Sequence, residues 1–245
     1  MNHTLTRRAS AEFAGTAVLV AAVVGSGIAA ARLSPGDVGL QLLENSVATA
    51  FALGALILTF GPVSGAHFNP VVSAVDWWLG RRAGTGLTTR DLVGYTAAQV
   101  AGAAAGAVLA NLMFDLPAVA WSQTHRTGGN LWLAEVVATA GLIVLIFALA
   151  RSGRATATPA AVGAYIGAAY WFTSSTSFAN PAVTIGRAFT DTFAGIAPTS
   201  LPAFVVAQFV GGLVAVAALA AWYPQAGNAA DVVLVPPLTK ETEAR

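Results

Sequence analysis

Cysteine is absent from the 245 residues, and charge is nearly so: Asp, Glu, Lys and Arg together make up 9% of the chain. A soluble domain of this size carries about 25% charged residues, so the ordinary globular classes are excluded. Without cysteine there is no disulfide framework and no thiolate metal site, and three scattered histidines, His3, His67 and His125, make a poor ligand set. A net charge of +1 gives no electrostatic footprint for nucleic acid. What the chain does have is apolar surface: 56% hydrophobic residues and a mean hydropathy of +0.68. It reads as an integral membrane protein with no cofactor.

A spanning helix needs about 20 mostly apolar residues, because backbone polar groups cannot be left bare in hydrocarbon. Charge-free runs at Phe13 to Ala31, Asn45 to Val75, Leu92 to Phe114, Val136 to Ala150, Ala155 to Gly186 and Thr192 to Ala230 predict six spans. Arg7 and Arg8 precede an apolar segment of full spanning length with no evident cleavage site, so the first helix is expected to be retained. The ends, Met1 to Arg8 and Asp231 to Arg245, are too short for a second domain and are expected to be mobile.

The second and fifth runs are too long for one helix, and each holds an Asn-Pro in its later part. Proline disfavours helix in the residue before it but suits the first position of a new helix, with Asn as the N-cap. Asn69-Pro70 and Asn180-Pro181 therefore predict short helices to about Leu79 and Thr190. Roughly ten residues rise about 15 Å, half the hydrocarbon thickness. Irregular backbone at that depth must be buried in protein or line a water-filled cavity, so a lumen is implied. An N-cap Asn gives its amide oxygen to backbone N–H groups, which leaves the NH₂ of Asn69 and Asn180 to donate to a passing solute.

Alternating spans place Arg7, Arg8, Arg81, Arg82, Arg90, Arg151, Arg154, Lys240 and Arg245 on one side, and Arg32, Arg126 and Arg187 on the other. Nine against three predicts cytoplasmic termini for a multi-pass protein of the cell membrane. The halves also repeat. Ala11-Glu12 recurs as Ala134-Glu135, Phe68-Asn69-Pro70-Val71-Val72-Ser73 as Ala179-Asn180-Pro181-Ala182-Val183-Thr184, and Ala98-Gln99 with Gly102 as Ala207-Gln208 with Gly211. Three spans per half is an odd number, so the second half must be inverted, and the two half-helices meet head to head. The expected architecture is one all-α channel domain, residues 1–245, with repeats at about 9–113 and 131–223.

Ser64-Gly65-Ala66-His67-Phe68-Asn69-Pro70-Val71 and Asn180-Pro181-Ala182, with Glu12 and Glu135, resemble the aquaporin and aquaglyceroporin (major intrinsic protein) family from about Ala9 to Tyr223. Val71 stands where Ala is commonest. The resemblance implies a homotetramer with one pore per subunit, passive and not enzymatic. It also implies that Glu12 and Glu135 brace the re-entrant loops, with His67 fixing the first loop or lining the inner mouth. The family's filter positions, counted from the two asparagines, fall on Thr49, Ala168, Ser177 and Val183. The last is usually an arginine, so Val183 removes a charge and five donors, and the resemblance implies a wide, weakly polar filter.

Arg187 follows Val183 by four residues on the same helix face, and could reach over the filter or pair with Asp191. Asp76 is expected to pair with Arg81 or Arg82, and Gly102, Gly106, Gly163 and Gly167 to allow close helix packing. Thr184 stands where glycerol facilitators carry aspartate. Thr49 with Val183 is similar to a bacterial subgroup associated with arsenic resistance, which implies glycerol-like polyols, arsenite or methylated arsenicals as solutes, together with water. A water-selective channel closed by Arg187 and an inverted-repeat secondary transporter are the alternatives. An intramembrane enzyme built on His67 and the serines near Ser174 to Ser177 lacks a recognisable nucleophile motif.

Overall fold

The computed structural model describes residues 4–81 and 84–223, which are helical with irregular connections. The expected roles of Arg82, Lys240 and Arg245, and of the polar ends, fall wholly or largely outside these residues. Among the described residues eight α-helices run in order: α1 (Leu5–Leu33), α2 (Val38–Ser64), α3 (Pro70–Gly80), α4 (Thr89–Met113), α5 (Gly129–Arg151), α6 (Thr158–Phe172), α7 (Pro181–Gly186) and α8 (Leu201–Trp222).

Five of these are long and apolar enough to cross a membrane, α8 together with the turn that leads into it. The sixth span, α6, has 15 residues, and a 3₁₀ turn at Ala155–Ala157 extends it. At about 1.5 Å per helical residue and 2.0 Å per 3₁₀ residue the pair reaches close to the hydrocarbon thickness. Apolar runs mark the spans but not their ends. Helix α1 begins at Leu5 and carries Arg7 and Arg8 within it, capped by Thr4, whose side chain accepts from the Arg7 N–H. Helix α4 opens on a reciprocal capping box between Thr88 and Asp91. The run from Thr192 splits: residues 190–197 are loop, and α8 starts only at Leu201.

Each half comprises two spans, a short helix and a third span, with α1 packed on α4 and α5 on α8. Glycines set how closely these pairs approach. A Cβ on Gly102 would lie 2.4 Å from the Phe13 carbonyl oxygen, and one on Gly106 2.1 Å from that of Ala17. The inverted partner does the same, since a Cβ on Gly211 would lie 2.6 Å from the Val136 oxygen. A Cβ on Gly163 would lie 2.6 Å from the Ala50 oxygen, whereas one on Gly167 would make a looser 3.1 Å contact with the Ala50 Cβ. Gly106→Leu is therefore expected to force α1 and α4 apart, at a cost of at least about 1–3 kcal/mol for overpacking. A thermal scan in detergent checks this, and an unchanged melting temperature would contradict it.

Large apolar side chains such as Phe51, Leu58 and Leu213 are exposed on the outer surface, where lipid would cover them. Exposed tryptophans near the helix ends, Trp78, Trp132 and Trp222, have the placement of an interfacial aromatic belt. Arg81 turns its guanidinium onto the rings of Trp77 and Trp78, with centroids 5.4 and 3.8 Å away. Asp76 Oδ2 accepts the Leu87 N–H at 2.8 Å, and its expected pairing with Arg82 lies outside the described residues. Arg8 and Asp91 form an ion pair at 2.6 Å.

Candidate pore and filter

The two half-helices start where proline chemistry places them. Asn69 caps α3, its Oδ1 accepting from the Val71 N–H at 3.0 Å. Asn180 caps α7, accepting from Ala182 and Val183 at 2.9 and 3.3 Å. Helix α3 spans 11 residues, while α7 is six residues followed by a 3₁₀ turn at Arg187–Phe189. The caps also tie the halves together: Asn69 Nδ2 donates to the Ala179 carbonyl at 2.8 Å, and Asn180 Nδ2 to the Phe68 carbonyl at 2.7 Å. The amides are thus not wholly free for solute. Each NH₂ spends one hydrogen on the opposite loop and keeps one.

The approach to each cap is irregular in the same way. Ala66 and Phe68 in the first loop, and Ser177 and Ala179 in the second, adopt positive φ between 48° and 50°. Such conformations cost about 1–3 kcal/mol each in residues other than glycine and persist only where the surroundings over-determine them. Here the surroundings are the two glutamates. Glu12 Oε1 accepts from Ser64 Oγ (2.6 Å) and the His67 N–H (3.0 Å), and Oε2 from the Phe68 N–H (2.7 Å) and Gln99 Nε2 (2.8 Å). Glu135 accepts from the Phe178 N–H (2.9 Å), the Ala179 N–H (2.8 Å) and Gln208 Nε2 (2.6 Å).

The inversion extends one bond further, because Gln99 also donates to Ser73 Oγ and Gln208 to Thr184 Oγ1, at 3.0 and 2.8 Å. Ser73 and Thr184 lie on the half-helices, so each carboxylate fastens both the loop and its short helix to a long span. His67 adds a side-chain bond between Nδ1 and Ser73 Oγ at 3.1 Å and borders the lumen.

A cavity of about 60 Å³ runs past both asparagines. By that measure one water needs about 10–15 Å³, so the space holds a short file of water or one small polyol. Its wall is mainly aliphatic, with Leu19, Val23, Leu53 and Ile57 facing Leu142, Ile146, Val162 and Ile166. Polar groups are few. Besides the asparagines and His67 they are Thr49, Tyr170, Ser177 and Arg187.

Of the four filter positions, Thr49, Ser177 and Val183 border this cavity and Ala168 does not. Ala168 is exposed on the opposite face of α6, which turns Val162, Ile166 and Tyr170 inward at four-residue intervals. Counting twelve residues back from Asn180 crosses the non-helical stretch 173–179, where the helical period is lost. Tyr170 is the residue that the count misses, and its OH is 3.2 Å from Thr49 Oγ1, joining α6 to α2.

Arg187 does not pair with Asp191, whose Oδ1 instead accepts the Gln123 N–H at 2.9 Å. Its Nε donates to the Ala194 carbonyl, and its guanidinium carbon lies 3.4 Å from the centre of the Phe178 ring. The residue is buried and borders the cavity, one turn beyond Val183.

Six spans in an inverted repeat, with two capped half-helices meeting around a lumen, define a membrane channel. A family model described as "MIP: Major intrinsic protein" matches residues 1–178, and the chain belongs to that family. It is 54% identical over 213 residues to "Aquaglyceroporin AqpS" of Rhizobium meliloti (strain 1021), covering 87% of this chain and 88% of that protein. It is 32% identical to "Aquaporin AqpM" of Methanothermobacter marburgensis, over 86% of this chain and 95% of the relative. Among solved structures, the aquaglyceroporin from Plasmodium falciparum matches with a TM-score of 0.66 at 20% identity, over 90% and 97% of the two chains. That likeness shows the shared fold.

Proposed function

We propose that this passive channel for water and small neutral solutes has an outer constriction formed by Thr49, Tyr170, Ser177, Val183 and Arg187, set for glycerol-like polyols and neutral metalloid hydroxides. The observation that carries this reading is the wall itself. Val183, three residues after the pore asparagine, presents an aliphatic face to a cavity whose polar groups are few. A mostly apolar wall with isolated donors suits a molecule with a carbon or metalloid centre and a few hydroxyls. Glycerol and an uncharged trihydroxide share that layout. The Rhizobium relative is named an aquaglyceroporin, which supports the polyol reading.

Exclusion of ions follows from elementary electrostatics. The N-termini of α3 and α7 each present about half a positive charge at the lumen centre, which repels cations, and the aliphatic wall offers an anion nothing in place of its hydration shell. Glu12 and Glu135 serve the loops, with both oxygens of each hydrogen-bonded to the protein. They act as braces rather than as proton carriers in this reading. The chain sits in the cell membrane with both termini in the cytoplasm, as a single channel domain spanning both repeats, and assembles as a homotetramer.

Arg187 supports a second reading, a water-selective pore, because its guanidinium reaches the cavity wall where Val183 leaves room. The experiment that separates the two is flux through Arg187→Ala in proteoliposomes. If Arg187 narrows the constriction, permeability to erythritol relative to water is expected to rise several-fold. An unchanged ratio would remove Arg187 from the filter and leave the width to Val183, Thr49 and Tyr170.

A further inference from the structure

The Arg187 guanidinium has no carboxylate partner among the described residues; what aims it is a backbone carbonyl in a loop. That loop is held in turn by a second arginine. Arg126, on the connection between α4 and α5, donates from Nε to the Gly195 carbonyl at 2.9 Å and reaches the Phe193 carbonyl with Nη2 at 3.5 Å. These two carbonyls flank Ala194, the acceptor for Arg187. The guanidinium carbon of Arg126 lies 5.2 Å from the centre of the Phe178 ring, the ring on which Arg187 rests at 3.4 Å. Phe178 is fixed at its backbone by Glu135 and at its ring by Phe204, edge-on at 5.2 Å.

The contacts therefore close on themselves: Glu135 holds Phe178, Phe178 supports both arginines, Arg126 holds residues 193–195, and Ala194 holds Arg187. The segment has little freedom to reach this position otherwise, since a Cβ on Gly195 would lie 2.3 Å from Ser122 Oγ and 2.6 Å from the Thr190 oxygen. Planarity suits Arg126 to the task. A guanidinium presents a rigid fork that can serve two carbonyls while stacking on a ring, and an ammonium cannot.

We propose that Arg126 is a specificity-determining positioning residue, which sets the upper size of neutral solute that the pore admits by fixing the loop that aims Arg187. The proposal rests on the reading that Arg187 borders the constriction. It predicts that Arg126 acts only through Arg187, so their effects on selectivity are not additive.

The test is stopped-flow measurement of erythritol and water permeability in proteoliposomes for the native chain, R126A, R126K, R187A and R126A/R187A. R126A is expected to raise the erythritol-to-water ratio roughly threefold or more, in line with the coupling of residues in one contact network. The double variant is expected to match R187A alone. R126K keeps the charge, so a raised ratio in it as well separates loop positioning from electrostatics and covers the case in which R126A does not fold. If R187A raises the ratio while R126A and R126K leave it native, the positioning role is overturned and the filter reading stands. Full additivity in the double variant overturns it too. No change in R187A would remove the filter reading on which the proposal rests.

Discussion

Glu135→Leu is expected to abolish both folding yield and flux. The substitution strands three buried donors, the N–H groups of Phe178 and Ala179 and the Gln208 amide. Each costs about 1–3 kcal/mol when left unsatisfied. It also releases the loop in which Ser177 and Ala179 sit at positive φ, which favours relaxation away from this geometry. The stranded donors alone amount to a large share of the stability of a typical domain, about 5–15 kcal/mol. Glu12→Leu is expected to be as severe, because four donors converge there. Glu135→Gln retains one acceptor oxygen and should fall between the native protein and Glu135→Leu. Thermal unfolding in detergent with flux on the surviving fraction measures this, and a Glu135→Leu protein of native stability would contradict the bracing role.

Val183→Arg is expected to lower glycerol flux at least tenfold while water still passes. The side chain borders the cavity one turn from Arg187, so the substitution places a second guanidinium with five donors in a constriction that holds at most a small solute. Tenfold needs only about 1.4 kcal/mol of added barrier, less than the cost of desolvating a polyol hydroxyl without a fitting partner. Stopped-flow glycerol uptake in proteoliposomes checks it. Undiminished glycerol flux would place the narrowest point away from Val183.

What could be read from the chain was whatever is decided locally or by symmetry. The half-helices were legible because Asn-Pro dictates a helix start whatever surrounds it, and α3 and α7 begin at Pro70 and Pro181. The recurrence of Glu12 and Gln99 as Glu135 and Gln208 was legible because the two halves carry the same residues in the same order, but only the fold shows that each Glu accepts from its Gln. The one position reached by counting right across the non-helical stretch 173–179 was not legible. Ala168 was lost in this way, and Tyr170 took its place at the wall.

Spacing also left Arg187 two placements, over the filter or paired with Asp191, and only the fold brings Ala194 and Phe178 to it. Arg126 carries no local signal, since its acceptors lie some seventy residues away. Residues 192–197 read as membrane span because they are free of charge, yet they form a loop whose Ala194 carbonyl accepts from Arg187.

The most direct measurement of the central claim is light scattering on proteoliposomes of the native protein, comparing water, glycerol and arsenous acid over a range of concentrations. A passive pore with a wide, weakly polar constriction predicts flux of all three, with solute flux linear in concentration and independent of any ion gradient. Water flux without either solute, or uptake that saturates and follows a coupling gradient, would contradict it.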